Sequence, residues 1–282
     1  MQIMVTGGVG FVGTNLVKRL LREGHNVFSI DNYLTGKKEN KQEGCTYIDA
    51  DINNLGHISK LFSDIDVIFH MAALARIQPS LKNPQETIYT NVNGTLSILS
   101  LAKENNIPVI YAGSSSFHHG LYASAYAWSK HAGEQLCKLY SEIHGLSTSI
   151  CRFYNVYGPH QLEDGEYSTV LGIFEKQYRN NEPLTVTGNG EQRRDFTYID
   201  DIVDGLYRCM GKEFKAEIFE LGRGINYSIN EIVDMFGAER KYIPARNGEY
   251  DKTLCDYTNA AGLLGWKPKV DLQDYINRIK KI

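Results

Sequence analysis

Tyr126 and Lys130 stand four residues apart in a segment, 125–144, that reads as a helix, so their side chains share one face. A phenol has a pKa of ~10, and ionising it at pH 7 costs roughly 4 kcal/mol. A neighbouring ammonium lowers that cost, and so does a second positive charge. The phenolate can then take a proton from a hydroxyl and return it. The spacing alone is not distinctive: with 18 Tyr in 282 residues chance supplies about one match, and Tyr33 with Lys37 is such a pair. A serine run, Gly113-Ser114-Ser115-Ser116, precedes Tyr126 at the end of an apolar run and brings hydroxyls to the same region.

A second constellation opens the chain. Gly7-Gly8-Val9-Gly10-Phe11-Val12-Gly13 directly follows a strand-like run, Ile3 to Thr6, and begins a helical one. Glycines at 7, 10 and 13 let the backbone turn sharply, approach a pyrophosphate and pack helix on strand. The N–H groups of the helix start then face the phosphates. Asp31 closes the second strand-like run about 20 residues on, where a carboxylate accepts from a ribose and repels a 2′-phosphate. NAD is therefore favoured over NADP, with Lys37 and Lys38 nearby as a partial counterweight.

These groups need a scaffold, and the chain supplies an alternating one. Strand-like runs at 3–6, 26–30, 45–48, 67–70, 109–112 and 147–151 are separated by helical stretches near 11–23, 54–62, 84–105 and 125–144. That order predicts an α/β fold, a Rossmann-type doubly wound parallel sheet covered on both faces. Beyond about residue 155 the pattern loosens, with a loop at 157–168, helices near 169–181 and 199–211, and a shorter α+β tail. The reading is a dinucleotide-binding domain over 1–155, with 192–212 returning to it, and a smaller α+β substrate lobe over 156–282. No Ser/Gly linker divides them.

Composition fits. Hydrophobic residues make up 42% and charged residues 22%, and 30 Lys and Arg against 33 Asp and Glu give a net charge of −3. Such a chain lacks the strong positive field of a nucleic-acid binder. No apolar run reaches the ~18–20 residues of a membrane span, and the first residues lack a basic leader, so a cytoplasmic protein is expected. Five scattered cysteines contain no C-x-x-C pair. Reduced thiols and no metal site are expected.

The Gly-x-x-Gly-x-x-Gly spacing at 7, 10 and 13 resembles the short-chain dehydrogenase/reductase superfamily, in the extended branch that acts on nucleotide sugars. Further motifs agree: Asp31-Asn32-Tyr33-Leu34-Thr35-Gly36, Asp51-Ile52, His70-Met71-Ala72-Ala73, Asn91-Val92-Asn93-Gly94-Thr95 and Leu264-Gly265-Trp266-Lys267-Pro268. The resemblance implies cofactor contacts from Gly7, Gly10, Phe11, Val12, Gly13, Asp31 and Asn32. It adds Asp51 and Ile52 at the adenine, then Met71, Ala72, Ala73 and Asn91, with Tyr126 and Lys130 at the reacting end. Tyr126 falls where the superfamily has its base. Counting back from Gly120 places Ser115 at the family's catalytic Ser/Thr. This chain has His119-Gly120 where the family has Tyr-Gly, and Ser115 and Tyr126 are only eleven apart, so the intervening loop is truncated.

The substrate end also matches. Arg152-Phe153-Tyr154-Asn155-Val156-Tyr157-Gly158-Pro159, Gly190-Glu191-Gln192-Arg193-Arg194-Asp195-Phe196 and Arg246-Asn247-Gly248-Glu249 resemble motifs in which Asn155, Arg194 and Arg246 hold the diphosphate. Guanidinium forks suit that group. Thr253 occupies the position where a bulky Tyr excludes N-acetyl sugars, so N-acetylhexosamine nucleotides are expected to be accepted, alongside plain hexoses.

Three chemistries share the scaffold. A 4,6-dehydratase needs an Asp-Glu pair after the catalytic Ser/Thr, where this chain has Ser116 and Phe117. A 3,5-epimerase or reductase needs a further acid–base pair or NADPH, and His118 and His119 leave that open. The remaining reading is an NAD-dependent 4-epimerase of a UDP-hexose or UDP-N-acetylhexosamine, passing through a 4-keto sugar. A non-catalytic NAD-binding scaffold is the alternative of another class. The resemblance also implies a homodimer joined through the helices at 84–105 and 125–144.

Overall fold

The computed structural model describes every residue except Asn247, Glu249 and Ile282. Its first half alternates strand and helix: β1 (Gln2–Thr6), α1 (Phe11–Arg22), β2 (Asn26–Asp31), β3 (Cys45–Asp49), β4 (Val67–His70), α2 (Ile77–Lys82), α3 (Pro84–Ile88), α4 (Gly94–Asn105), β5 (Val109–Ser114), α5 (Ala125–His144) and β6 (Thr148–Phe153). The second half holds β7 (Val156–Tyr157), α6 (Val170–Arg179), β8 (Leu184–Thr187), β9 (Arg193–Asp195), β10 (Thr197–Tyr198) and α7 (Ile199–Cys209). It ends with β11 (Lys215–Leu221), β12 (Asn226–Ser228), α8 (Ile229–Phe236), β13 (Arg240–Ile243), α9 (Thr258–Leu264) and α10 (Leu272–Ile279).

Seven strands form one sheet in the order β11-β6-β5-β4-β1-β2-β3, and every pairing in it is parallel. Strand order reverses beside β1, the crevice where such folds bind dinucleotides. Because side chains alternate along a strand, each face has its own core. Ile3, Val5, Val67 and Phe69 pack beneath α1 and α7, against Leu16, Leu20, Ile202 and Leu206. Met4 and Ile68 pack on the opposite face against Ile98 and Leu99 of α4 and Cys137 of α5.

Two expectations are refined and one is corrected. The stretch near 54–62 is a 3-10 helix, Gly56–Phe62, in which only Phe62 is buried, so no apolar stripe holds an α-helix there. The helical stretch expected at 84–105 runs without a gap, with a π turn, Tyr89–Asn93, between α3 and α4. Gly94 follows it, where a Cβ would lie 2.4 Å from Ile52 Cδ1. Lys215–Leu221, which a boundary at 156 assigns to the second lobe, is the seventh strand of the main sheet. The rest of that half carries three two-stranded sheets, β7–β10, β8–β13 and β9–β12. Phe174, Phe236, Trp266 and Ile276 of its helices and loops join the same apolar cluster as Ile3 and Val5. All five cysteines are free thiols.

Candidate active site

The C-terminal ends of β1, β2, β4 and β5 open into a cleft of about 770 Å³, closed on its far side by the second half of the chain. At β1 the glycine loop turns tightly: Gly7 has φ +73°, and a Cβ there would lie 2.9 Å from the Ala72 backbone. A Cβ on Gly13 would lie 2.0 Å from Gly7 O, so loop and helix touch backbone to backbone. α1 begins at Gly10 with no side-chain cap and no acidic residue in its first turn. Its N–H groups are left for an anion.

Asp31 ends β2 with its carboxylate accepting from Val9 N at 3.1 Å and Tyr33 N at 2.8 Å. Burial pushes its pKa up, and those two backbone bonds oppose the rise. Gly7, Gly10, Phe11, Val12, Gly13, Asp31, Asn32 and Ile52 all line the cleft. Asp51 is not among the lining residues; it is exposed, and it is taken up by Asn32 Nδ2 at 3.1 Å and by Asn53.

The turn after β4 is set by small bonds. His70 bridges Thr6 Oγ1 at 2.8 Å and Thr95 Oγ1 at 3.0 Å. Burial holds its pKa down to about 3, so the ring is neutral at physiological pH. Met71, Ala72 and Ala73 line the cleft. Asn91 does not reach it. The π turn directs this buried amide to Leu74, whose N and O it bonds at 2.8 and 3.1 Å, and to Ser129 Oγ at 2.9 Å. These bonds fasten the turn after β4.

Ser124 caps α5 by accepting from Ala127 N at 3.1 Å. Tyr126, in the first turn, donates to Ser114 Oγ at 3.1 Å. The partner is therefore Ser114, the last residue of β5, and not Ser115. Ser115 lines the cleft but begins the 3-10 turn Ser115–His119. Lys130, one turn along α5, is buried, with Nζ 4.3 Å from the centroid of the Tyr111 ring, and is not among the residues that line the cleft. Burial lowers its pKa to about 8. The cation that favours ionisation of Tyr126 is Arg76, acting with the Ser114 bond against burial, which pushes the phenol above its ordinary value.

The truncated loop after Ser116 is pinned down. The Arg152 guanidinium lies 3.7 Å over the Phe117 ring, and His118 Nε2 is 2.7 Å from Glu220 Oε1. The His119 ring stacks on Tyr250 at 4.8 Å. Its Nε2 and the Tyr250 hydroxyl are buried without a partner among the described residues, and Tyr250 lines the cleft.

On the opposite wall Asn155 has φ +26°, uncommon for a residue with a Cβ and concentrated at functional sites. Its Nδ2 donates to Asp195 O at 3.0 Å and to Thr253 Oγ1 at 3.2 Å. Thr253 Oγ1 also accepts from Asp195 N at 2.9 Å. Its hydroxyl thus holds Asn155 and β9 in place. Arg194 and Arg246 line this wall; Asn247 and Glu249 of the third motif lie outside the described residues. Among the described residues no group of His, Cys, Asp or Glu could hold a metal, and no helix is long and apolar enough to cross a membrane.

Sequence reasoning missed three groups: Ser114, whose partnership depends on where β5 ends; Tyr250, brought in by the tertiary fold; and Arg76, whose one signal is a charge set in the Ala-Leu-Ala turn after β4.

The family model described as "NAD dependent epimerase/dehydratase family" matches residues 3–222. A UDP-glucuronate 4-epimerase of Thermodesulfobacterium geofontis is 32% identical, over 98% of this chain and 94% of its own. UDP-glucuronic acid decarboxylase 1 of Xenopus tropicalis is 29% identical, over 98% of this chain and 70% of its own. Among solved structures, the UDP-glucose 4-epimerase of Thermotoga maritima with UDP-glucose superposes with a TM-score of 0.93 at 29% identity, covering 100% of this chain and 98% of that one.

Proposed function

The chain belongs to the NAD-dependent epimerase/dehydratase family, and from that premise we propose that it inverts C4 of a UDP-linked sugar through a 4-keto intermediate. The glycine loop, the uncapped start of α1 and Asp31 fit NAD. Bound there, NAD supplies the oxidant for C4 and returns the electrons to it.

The chain's own residues do the rest. Tyr126 takes the 4-hydroxyl proton and gives it back, with Ser114 bonded to the phenol and Ser115 beside it at the cleft wall. Arg194, Arg246 and Asn155 hold the diphosphate side, so the sugar can turn while the nucleotide stays fixed. Strong contacts on the nucleotide and weak ones on the sugar suit a reaction that must present both faces. Lys130 stands behind the same helix turn, its buried ammonium over the Tyr111 ring of β5.

The observation that carries this reading is the Tyr126–Ser114 bond in the mouth of the dinucleotide crevice. Tyr126→Phe is expected to lower turnover by at least about 10²–10⁴-fold while NAD remains bound. Product NMR with UDP-sugars, together with cofactor absorbance, tests it; full activity in the variant removes Tyr126 from the role of base. Decarboxylase relatives favour a second reading. A 4-keto uronate is a β-keto acid that can lose CO₂, and the same NMR experiment separates a pentose product from an epimer. We further infer a homodimer, built on the outward faces of α4 and α5, where Leu96, Leu139 and Ile143 are exposed.

A further inference from the structure

Arg76 precedes α2, which packs against α5 near the Tyr126 end of that helix. Arg76 is half-buried, and its accessible part lines the cleft. Nε donates to Tyr167 O at 2.9 Å and Nη1 to Ala75 O at 2.9 Å. Both acceptors are neutral carbonyls. Among the described residues no carboxylate forms an ion pair with it, and the nearby groups that influence its charge are the phenols of Tyr126 and Tyr167.

A half-buried guanidinium with no carboxylate partner keeps its charge available to a ligand that enters the cleft beside it. Two carbonyls leave most of its five donors unused. The neighbouring cation on this wall, Lys82, already pairs with Glu166. The diphosphate has its own cations, Arg194 and Arg246, on the far wall. Arg76 is therefore positive charge beyond what the nucleotide requires, placed at the end of the cleft where the sugar meets Tyr126.

We propose that Arg76 receives a carboxylate carried by the sugar, so that the preferred substrate is a nucleotide-linked uronic acid and not a neutral hexose. This assignment rests on the nucleotide-sugar reading above. It also revises the expectation drawn from Thr253, whose hydroxyl is committed to the framework. A carboxylate matches the guanidinium fork in shape as well as charge. The backbone anchors at Tyr167 and Ala75 hold that fork in place before substrate arrives, which reduces the entropy lost on binding.

The test is equilibrium binding of UDP, UDP-glucose and UDP-glucuronate to the NAD-loaded protein, for the wild type, Arg76→Gln and Arg76→Lys. The wild type should bind UDP-glucuronate about 10–100-fold more tightly than UDP-glucose, as one desolvated charge pair allows. Arg76→Gln should erase that difference and leave UDP affinity unchanged, which also shows that the loop it anchors is still folded. Arg76→Lys, with charge but no fork, should keep part of the preference. Equal binding of the two sugars by the wild type, or a preference that survives Arg76→Gln, overturns the proposal. So does an equal loss of UDP affinity in Arg76→Gln, because the anion at Arg76 is then the diphosphate. Failure of UDP itself to bind wild type removes the nucleotide-sugar reading and this proposal with it, whereas UDP binding without discrimination removes the carboxylate alone.

Discussion

Ser114 and Ser115 both line the cleft, Ser114 bonded to Tyr126, and single substitutions should tell their proposed roles apart. A hydrogen bond to a group that becomes charged contributes more than one between neutral partners. Ser114→Ala should therefore slow turnover about 10–100-fold, by loss of the bond that steadies the ionised phenol. Ser115→Ala should cost less, and single-turnover rates of the two variants check the order. A larger loss at Ser115 returns it to the relay. At the cofactor end, Gly13→Ala sets a methyl 2.0 Å from Gly7 O, so the loop must open. NAD affinity should fall by at least about 10-fold, measured by fluorescence titration, because backbone contact with the pyrophosphate depends on that closure. Much of this residue scale is legible in the sequence. The tight glycine turn and the place of Asp31 at the end of β2 are readable because they follow from short-range spacing. The serine register, the side-chain place of Lys130 and the inward turn of Asn91 depend on where a strand stops and how a helix winds, which spacing does not encode.

At the scale of elements, α6 carries a group that couples stability to pH. Glu175 is buried and accepts from Gln161 Nε2 at 2.6 Å, and burial raises its pKa to about 7. In the unfolded chain a glutamate titrates near ~4.3. The folded state therefore holds the proton more tightly. Its contribution to stability is complete below the unfolded pKa and is lost as pH rises through about 7. Glu175→Gln should flatten that slope and stabilise the protein by about 1–3 kcal/mol at pH 8, read by denaturant titration at pH 5 and 8. An unchanged slope assigns the pH dependence elsewhere. The elements themselves are readable wherever apolar periodicity is strong: α1, α5 and the strands of the first half lie close to where the sequence places them. The helix type is not readable: local spacing places helix at Tyr89–Asn93 and Gly56–Phe62 but does not distinguish a π turn or a 3-10 segment from an α-helix.

For the whole molecule, α4 and α5 present an outward apolar stripe that includes Leu96, Leu139 and Ile143, the last 65% exposed. Leu139 and Ile143 are four apart on α5, on one helix face. The double substitution Leu139→Glu with Ile143→Glu should convert the proposed dimer to a monomer in sedimentation velocity while NAD binding persists. A wild-type monomer, or a dimer indifferent to the change, excludes that interface. The return of Lys215–Leu221 to the main sheet could not be read from local pattern, since an edge strand after a helix looks the same whichever sheet accepts it.

The apolar cluster that begins under β1 and runs on to Trp266 and Ile276 gives both halves a single interior. Two bodies that share an interior cannot swing apart like a clamshell without wetting it, at roughly 25 cal/mol for each Å² of oil-like surface uncovered. Ligand traffic must then pass through a peripheral doorway. The segment around Glu166 and Tyr167, tied to Lys82 and Arg76, forms one jamb of that doorway.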